Sequence, residues 1–313
     1  MEYRHLGISG LEVSVIALGT TSFGRRGMQQ EESTKVVLEA IEHGVNLIDT
    51  SNTYGPAEEF LGRAITGIRQ DVLIATKVSS KIADGPNRSG SSRLHIVEQV
   101  EKSLGHLQTD YIDIYQLHVV DNNTPIEETL RAMDDLVRQG KVRYLGCSNF
   151  GAWQVSKAVS TSQRLGLNSF ICVQPEYNML RREAESDLIP CCEAHGLGIL
   201  PYHPLDSGFL SGKYRRGSPI PVDSRFHHVP QIAGAHLTER RFDLLDRLDA
   251  FAKDCGHTIL ELAIAWLLSR PMVASVLTGT SKTGQISDSV RAATWSLTPD
   301  QSRRIDRILT HND

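Results

Sequence analysis

Short apolar runs rich in β-branched residues alternate with stretches of helical periodicity along nearly the whole chain. This alternation is typical of parallel strands joined by crossover helices, because each parallel strand must be followed by a return segment outside the sheet. Strand character is found at residues 15–18, 46–48, 72–76, 112–117, 142–147, 170–173, 198–201 and 274–277. A closed barrel and an open doubly wound sheet both satisfy the pattern, and eight strand and helix units close naturally into a (β/α)8 barrel.

The segments between these runs have the apolar spacing of amphipathic helices. They cover residues 31–42, 57–65, 93–106, 125–138, 152–164, 182–194, 237–252, 258–268 and 283–292. Ahead of the first strand, YRHLGISGLEVS predicts a β-hairpin at the floor of the barrel, since a turn with glycine and serine separates two extended stretches. Residues 203–236 show no clear period, and a long loop of this kind is usually functional or mobile. No linker or internal repeat divides the chain, so we expect one domain over residues 1–313.

Composition excludes several classes of protein. The formal net charge is -4 without acidic or basic blocks, so neither nucleic acid nor a membrane surface is an expected partner. The five cysteines are odd in number and form no CxxC pair, which argues against a disulfide framework and a zinc site. The adjacent His227 and His228 lack the spacing of metal ligands, and we expect them to be exposed. With no apolar signal stretch, the chain is expected to be cytoplasmic, to hold no metal and to act on a small molecule.

Polar side chains occur where three consecutive predicted strands end. Asp49 ends the second strand in VNLIDT, and Tyr54 follows in the next loop. Lys77 ends the third strand in VLIATK, and His118 ends the fourth in YIDIYQLH. Because the carboxyl ends of barrel strands converge on one mouth, we expect these four side chains to form an active site.

The residue types of this group suggest acid catalysis. A lysine buried at a strand end needs a counter-charge, and Asp49 on the neighbouring strand supplies one for Lys77. A phenol has an ordinary pKa of about 10, too high for an efficient acid at neutral pH, but an adjacent ammonium lowers it. Tyr54 beside Lys77 and His118 would therefore donate a proton to a carbonyl oxygen as hydride reaches the carbon, or accept one in the reverse direction.

Each of the four residues also has an ordinary structural explanation when it is taken alone. Asp49 suits a helix cap or a solvated charge, and Tyr54 suits a loop anchor. Lys77 suits a surface position, and His118 suits a hydrogen-bonded core histidine. Their joint occurrence at successive strand ends favours the catalytic interpretation.

Sequence strings in a fixed order resemble the aldo-keto reductase superfamily almost from end to end. They are YRHLGISGLEVSVIALGTTSFG, GVNLIDTSNTYG, ATK, LHVVD, GKVRYLGCSNF, VQPEYN, PYHPLDSGFLSGKY and LTGTSK. NTPIEETLRAMDDLVRQGKVRYLG and LELAIAWLL are most similar to the branch that includes bacterial aldo-keto reductases and potassium-channel β subunits. The resemblance implies a (β/α)8 barrel with an N-terminal hairpin and a C-terminal helix that binds NADP(H) without a Rossmann domain. It also assigns the catalytic set to the same four residues.

The resemblance further implies a set of cofactor-binding residues. Ser148, Asn149 and Gln174 match the partners of the nicotinamide carboxamide, and Tyr202 matches the ring that stacks on the nicotinamide. The loop that follows the pyrophosphate in the family corresponds here to His203, Pro204, Leu205, Gly208, Leu210 and Lys213. The site for the adenosine half corresponds to Gly279, Thr280, Ser281, Lys282, Gln285, Asp288 and Ser289.

The adenosine segment departs from the family pattern. Many relatives have Arg where Gln285 stands, and Glu-Asn where Asp288 and Ser289 stand. The missing arginine weakens strict selection of NADP(H), whereas Ser281 and Lys282 at a helix start suit an extra phosphate. NAD(H) is therefore the alternative cofactor.

The sequence as a whole favours an NADP(H)-dependent reductase of an aldehyde, a ketone or a sugar-like carbonyl. An NAD-dependent aldose or alcohol dehydrogenase and a cofactor-sensing regulatory subunit are the alternatives. Substrate choice would depend on loops 20–27, 78–92 and 203–236. Basic residues near this mouth would suit hydroxylated or anionic substrates, and they are Arg25, Arg26, Lys81 and Arg88. Relatives occur as monomers and as rings, so an oligomer is possible.

Overall fold

The computed structural model describes residues 1–25, 28–222 and 224–310. Arg26, one of the basic residues expected near the mouth, and residues 311–313 at the end of the expected domain lie outside these ranges. Within the described residues, no helix combines the length and the apolar character needed to cross a membrane. Nor do His, Cys, Asp or Glu side chains of the described residues gather in threes that could hold a metal ion.

Eight parallel strands form the centre of the fold. They are β3 (Ile16–Gly19), β4 (Leu47–Asp49), β5 (Leu73–Val78), β6 (Ile112–Leu117), β7 (Val142–Ser148), β8 (Phe170–Gln174), β9 (Gly198–Ile199) and β10 (Val276–Gly279). From β3 to β9 each strand pairs with the next one along the chain, and β10 pairs with β3. Ile199 on β9 closes the circle, because its N–H bonds Met272 O at 2.8 Å and its carbonyl accepts from Ala274 N at 3.0 Å. The (β/α)8 barrel is thus confirmed, and a doubly wound sheet, which requires a reversal of strand order, is excluded.

Helices follow the strands on the outside of the barrel. They are α1 (Gln30–Glu42), α2 (Ala57–Ala64), α3 (Arg93–Leu107), α4 (Ile126–Arg138), α5 (Ala152–Leu165), α6 (Leu188–His195), α7 (Arg225–His228), α8 (Pro230–His236), α9 (Glu239–Asp254), α10 (Ile259–Leu268), α11 (Gln285–Ala292) and α12 (Pro299–Thr310). Side-chain caps define several helix starts, as at α10, where Thr258 and Glu261 form a reciprocal capping box. The implied C-terminal helix is present as α12.

The predicted helix 182–194 is shorter than expected. A 3-10 turn covers Glu183–Glu185, and α6 begins only at Leu188. Pro190 explains the late start, because proline has no N–H to donate and is tolerated in the first turn of a helix but not in its interior. The predicted start at residue 182 was therefore wrong, because it followed the apolar spacing and did not take the position of Pro190 into account.

The N-terminal hairpin closes the floor of the barrel. Its strands are β1 (Tyr3–His5) and β2 (Glu12–Ser14), which pair antiparallel as predicted. Leu6 and Val13 are fully buried in a cluster with side chains from inside the barrel, such as Leu47 and Ile114. Gly7 at φ +62° lies so close to the barrel that a Cβ would meet Gly196 O at 2.4 Å, so only glycine fits.

The segment 203–236 contains secondary structure that its sequence did not predict. Two 3-10 turns separated by a kink at Ser207 and Gly208 cover Asp206–Ser211, and the short helices α7 and α8 follow. Ser224 caps α7 by accepting from His227 N, and Pro230 begins α8. Helices of four and seven residues are too short to show a period, which explains the omission. His227 and His228 are exposed, as expected.

Candidate active site

A cleft of about 500 Å³ opens at the carboxyl ends of the barrel strands. Most of the predicted site residues line it, namely Asp49, Tyr54, His118, Ser148, Asn149, Gln174, Tyr202, His203, Pro204, Leu205, Gly208, Lys213, Gly279, Thr280, Ser281, Gln285, Asp288 and Ser289. Three do not: Lys77 lies fully buried beneath the floor, Leu210 belongs to the hydrophobic core, and Lys282 is exposed outside the cleft. The barrel therefore brings together side chains from strand ends that are distant in sequence.

Asp49 is the hub of a buried polar network at the cleft floor. Its Oδ1 accepts from Lys77 Nζ at 2.5 Å. Its Oδ2 accepts from Gln174 Nε2 at 2.8 Å and from Gln116 Nε2 at 3.3 Å. Lys77 also donates to the carbonyl of Thr50 at 2.8 Å. The negative charge of Asp49 is thus shared among groups from β5, β6 and β8 and is fixed in position.

Lys77 remains an ammonium although it is buried. Burial by itself lowers the pKa of Lys77, but the charge of Asp49 and then the Tyr54 hydroxyl favour the protonated form and raise its pKa above the ordinary value. The ammonium nitrogen lies 5.0 Å from the centre of the Tyr54 ring. A fixed positive charge therefore stands beside the phenol, in the arrangement that the sequence predicted.

His118 is the neutral member of the group. Burial, and secondly the positive charge of Lys77, lower the pKa of His118 to about 4. Its Nδ1 lies 3.3 Å from Ser51 Oγ, and its ring meets the Tyr54 ring edge-on at 5.8 Å between centres. At neutral pH this imidazole can orient a polar ligand through its single N–H, but it is not an imidazolium and so is a poor proton donor.

Polar groups at the ends of β7, β8 and β9 bond one another along the wall of the cleft. Ser148 Oγ donates to Gln174 O at 2.8 Å, and Asn149 Nδ2 donates to Ser148 Oγ at 3.1 Å. The Tyr202 hydroxyl donates to Asn149 Oδ1 at 2.8 Å. Burial raises the pKa of Tyr202 to about 12, so the hydroxyl keeps its proton. The Tyr202 ring is thereby held at a defined angle beside amide groups that could bind a carboxamide.

The loop after β9 is shaped by left-handed backbone and a buried ion pair. Asp206, Ser207 and Gly208 have φ values of 46°, 59° and 91°. Asp206 is buried and pairs with Arg241 of α9, which anchors this strained turn. A Cβ on Gly208 would lie 3.0 Å from the ammonium of Lys213, so the glycine leaves room for that cation.

The far end of the cleft is formed by the segment after β10. The Thr280 hydroxyl is buried there, and it has no hydrogen-bond partner within the described part of the chain. Ser281 N–H and its hydroxyl both donate to Gln285 Oε1, at 2.8 and 3.3 Å. Ser22 Oγ donates to the Thr280 carbonyl, which ties the β3 loop to this segment.

Several lining residues were missed by the sequence reasoning. They are Gly19, Thr21, Ser22, Ser207, Ser211, Arg225, Leu260, Leu277 and Thr278. Arg225 matters most because it adds a guanidinium to the cleft. It starts the short helix α7, in a segment without period, so only the tertiary structure could reveal its position. Gly19 and Thr278 come directly after the predicted strands 15–18 and 274–277. Both could have been found from the rule, applied to Asp49, that residues at strand ends line the mouth of the barrel.

The chain is similar to known proteins along nearly its whole length. The aldo/keto reductase family matches residues 15–310. A probable voltage-gated potassium channel subunit beta of Arabidopsis thaliana is 38% identical and covers 99% of this chain and 97% of its own length. The aldo-keto reductase YhdN of Bacillus subtilis is 34% identical, with coverages of 99% and 94%. The L-glyceraldehyde 3-phosphate reductase of Escherichia coli K12 is 34% identical, with coverages of 93% and 87%.

Proposed function

The chain belongs to the aldo/keto reductase family, and from this premise we propose that it reduces an aldehyde, ketone or sugar-like carbonyl with NADP(H). The single observation that carries the proposal is the buried Lys77–Asp49 ion pair beside Tyr54 on the cleft floor. An ion pair that is almost completely buried is costly to maintain, and replacing such a pair by apolar residues is often neutral or stabilising. The presence of this ion pair beside Tyr54 is therefore best explained by a role in catalysis rather than in stability.

Each of the four central residues has a distinct proposed role. Tyr54 donates the proton to the carbonyl oxygen, and the ammonium of Lys77 stabilises the phenolate that remains. Asp49 keeps Lys77 charged inside the barrel. His118, neutral at pH 7, donates a hydrogen bond that orients the carbonyl oxygen and shares its developing negative charge. When bound, the nicotinamide cofactor supplies the hydride that the carbonyl carbon receives.

The donor set of the cleft fits a dinucleotide. Ser148, Asn149 and Gln174 offer amide and hydroxyl groups beside the ring of Tyr202, which suits a carboxamide on a flat aromatic ring. Gly208 lacks the Cβ that would crowd the ammonium of Lys213, and this cation in the cleft lining suits a pyrophosphate. The buried, unpartnered hydroxyl of Thr280 supports a polar ligand at the far end, within the described residues.

The choice of NADP(H) as the first cofactor rests on charge. Lys213 and Arg225 both line the cleft, and a cofactor with an additional phosphate gains more from two cations. Lys282, which suggested the same preference from the sequence, lies outside the lining and supports the proposal less. An NAD-dependent dehydrogenase is the alternative, and Gln285 in place of the arginine of many relatives keeps it open.

A substrate panel tests the proposal. The purified protein is mixed with NADPH and, separately, with aromatic aldehydes, aliphatic ketones, aldoses and a phosphorylated aldehyde, and absorbance of the reduced cofactor is followed. We expect carbonyl-dependent consumption of NADPH with at least one class. Quenching of protein fluorescence gives the affinities for NADPH and NADH, and a clear preference for NADH would overturn the NADP(H) assignment.

A regulatory role is the second candidate, favoured by the 38% identity to a protein named as a channel subunit. In that role the bound cofactor would report the redox state to a partner protein. Isolation of a stable complex with another protein, together with negligible turnover across the carbonyl panel, would support it. Rapid turnover in the absence of any partner would contradict it.

A further inference from the structure

Two carboxylates of α1 hold the segment that precedes α11. Both oxygens of Glu39 accept from the N–H of Gly284, at 3.0 and 2.9 Å. Glu32 Oε1 accepts from the N–H of Thr283 at 3.1 Å. Gly284 is the residue that caps the start of α11, where unpaired amides and the helix dipole favour negative charge. The positive end of α11 is therefore already neutralised by the chain itself.

The remaining groups of this segment offer little further positive charge to a ligand. The amide of Ser281 is already bonded to Gln285 Oε1 at 2.8 Å. Asp288, which lines the cleft, adds another carboxylate, although it is paired with Arg291 at 2.8 Å. Lys282, which precedes Thr283 in the chain, contributes one cation, and it lies outside the cleft lining.

We infer that Glu32 and Glu39 are specificity-determining residues that keep the preference for NADPH over NADH small. The inference rests on the proposed function, since it concerns the segment assigned to the adenosine half of the cofactor. A 2′-phosphate carries close to two negative charges, whereas a 2′-hydroxyl carries none. The two carboxylates repel only the phosphorylated cofactor, and they occupy amides that would otherwise bind its phosphate.

The expected size of the effect follows from Coulomb's law. A carboxylate about 8 Å from a phosphate dianion in a water-like medium weakens its binding about sixfold, and physiological salt, with a screening length of about 8 Å, reduces this to about twofold. Removing both carboxylates should therefore improve NADPH binding about fourfold at physiological salt, while NADH binding stays nearly constant. The cations Lys213 and Arg225 attract the phosphates of both cofactors, and NADPH gains more because it carries one phosphate more, so these cations oppose the repulsion.

The test compares the dissociation constants of NADPH and NADH, measured by quenching of protein fluorescence. The variants are Glu32→Gln, Glu39→Gln and the double variant, because a glutamine oxygen can still accept the hydrogen bonds that hold the segment. Glu31→Gln is the matched control: it removes the same charge from α1, but Glu31 pairs with Lys35 at 2.8 Å. We expect the double variant to bind NADPH about fourfold more tightly relative to NADH at physiological salt, less so at high salt, and the control to match wild type.

Three results would overturn the inference. The first is a ratio of NADPH to NADH affinity that is the same in the double variant and in Glu31→Gln. The second is equal weakening of both cofactors by Glu39→Gln, which would show that Glu39 only supports the segment structurally. The third is a wild-type protein that binds neither cofactor, and this result alone would also remove the proposed function.

Discussion

Replacing Asp49 by Asn should strongly destabilise the protein, because the substitution leaves the ammonium of Lys77 buried without its counter-charge. Lys77 has no solvent exposure, and the side chain of Asp49 is only 6% exposed. Removing one partner of such a pair costs about 3–5 kcal/mol of unfolding free energy. For a chain of 313 residues this corresponds to a fall in melting temperature of about 5–8 °C.

The pH dependence of this loss identifies its cause. Without Asp49, burial is left as the largest effect on Lys77 and drives its pKa below the ordinary value. A lysine whose pKa is lower in the folded state loses stability as pH falls, since the unfolded chain takes up the proton more readily. We therefore expect Asp49→Asn to be less destabilised at pH 9 than at pH 6. Thermal unfolding followed by circular dichroism at both pH values measures the difference.

A matched control and a double variant complete the experiment. Asp113 is a similarly buried carboxylate that accepts from Arg69 at 2.7 Å and from Ile74 N at 2.8 Å. Asp113→Asn should lose stability without this dependence, because arginine stays charged at both pH values. Combining Asp49→Asn with Lys77→Met should recover most of the stability but none of the activity. An Asp49→Asn protein as stable as wild type at pH 6 would refute the reasoning.

Two further outcomes follow from the cleft. Because His118 has a pKa of about 4 in the folded protein and about 6.5 when unfolded, the unfolding free energy should fall as pH decreases between these values. The fall should be shallower in His118→Gln, as measured by urea unfolding at pH 7, 6 and 5, and equal slopes would contradict the assignment. Lys213→Met should weaken NADPH binding about tenfold or more by loss of a charge-assisted contact, whereas Lys282→Met outside the lining should change it less than about twofold. Fluorescence titration distinguishes the two, and equal effects would place the phosphate contacts elsewhere.

The barrel could be predicted because its pattern is repeated and local. The strand predicted at residues 112–117 coincides with β6, and the hairpin and the order of elements are as expected. Asp49, Lys77 and His118 could be placed because strand ends of a parallel barrel share one face, so a residue's position in its strand fixes its position in the molecule. The strand predicted at residues 198–201 is only Gly198–Ile199 in the structure. Its pairing at the closure of the barrel depends on Val273, which is distant in sequence.

The other features arise from tertiary contacts that no local pattern encodes. Arg225 enters the cleft through a four-residue helix, too short to have a period. The capture of the Gly284 amide by Glu39 joins residues 245 positions apart. Leu210 matched the family loop by position, yet the kinked segment Asp206–Ser211 buries it in the core. Such contacts depend on how α1, α7 and the barrel pack together.

The role of Tyr54 as the acid is tested most directly by removing one oxygen atom. Tyr54→Phe is loaded with NADPH and mixed with the best carbonyl of the substrate panel, and reduction is followed in a single turnover. The variant should bind NADPH within about twofold of wild type but reduce the carbonyl at least about 100-fold more slowly, because general acid catalysis is lost. Reduction at the wild-type rate would contradict the proposed mechanism.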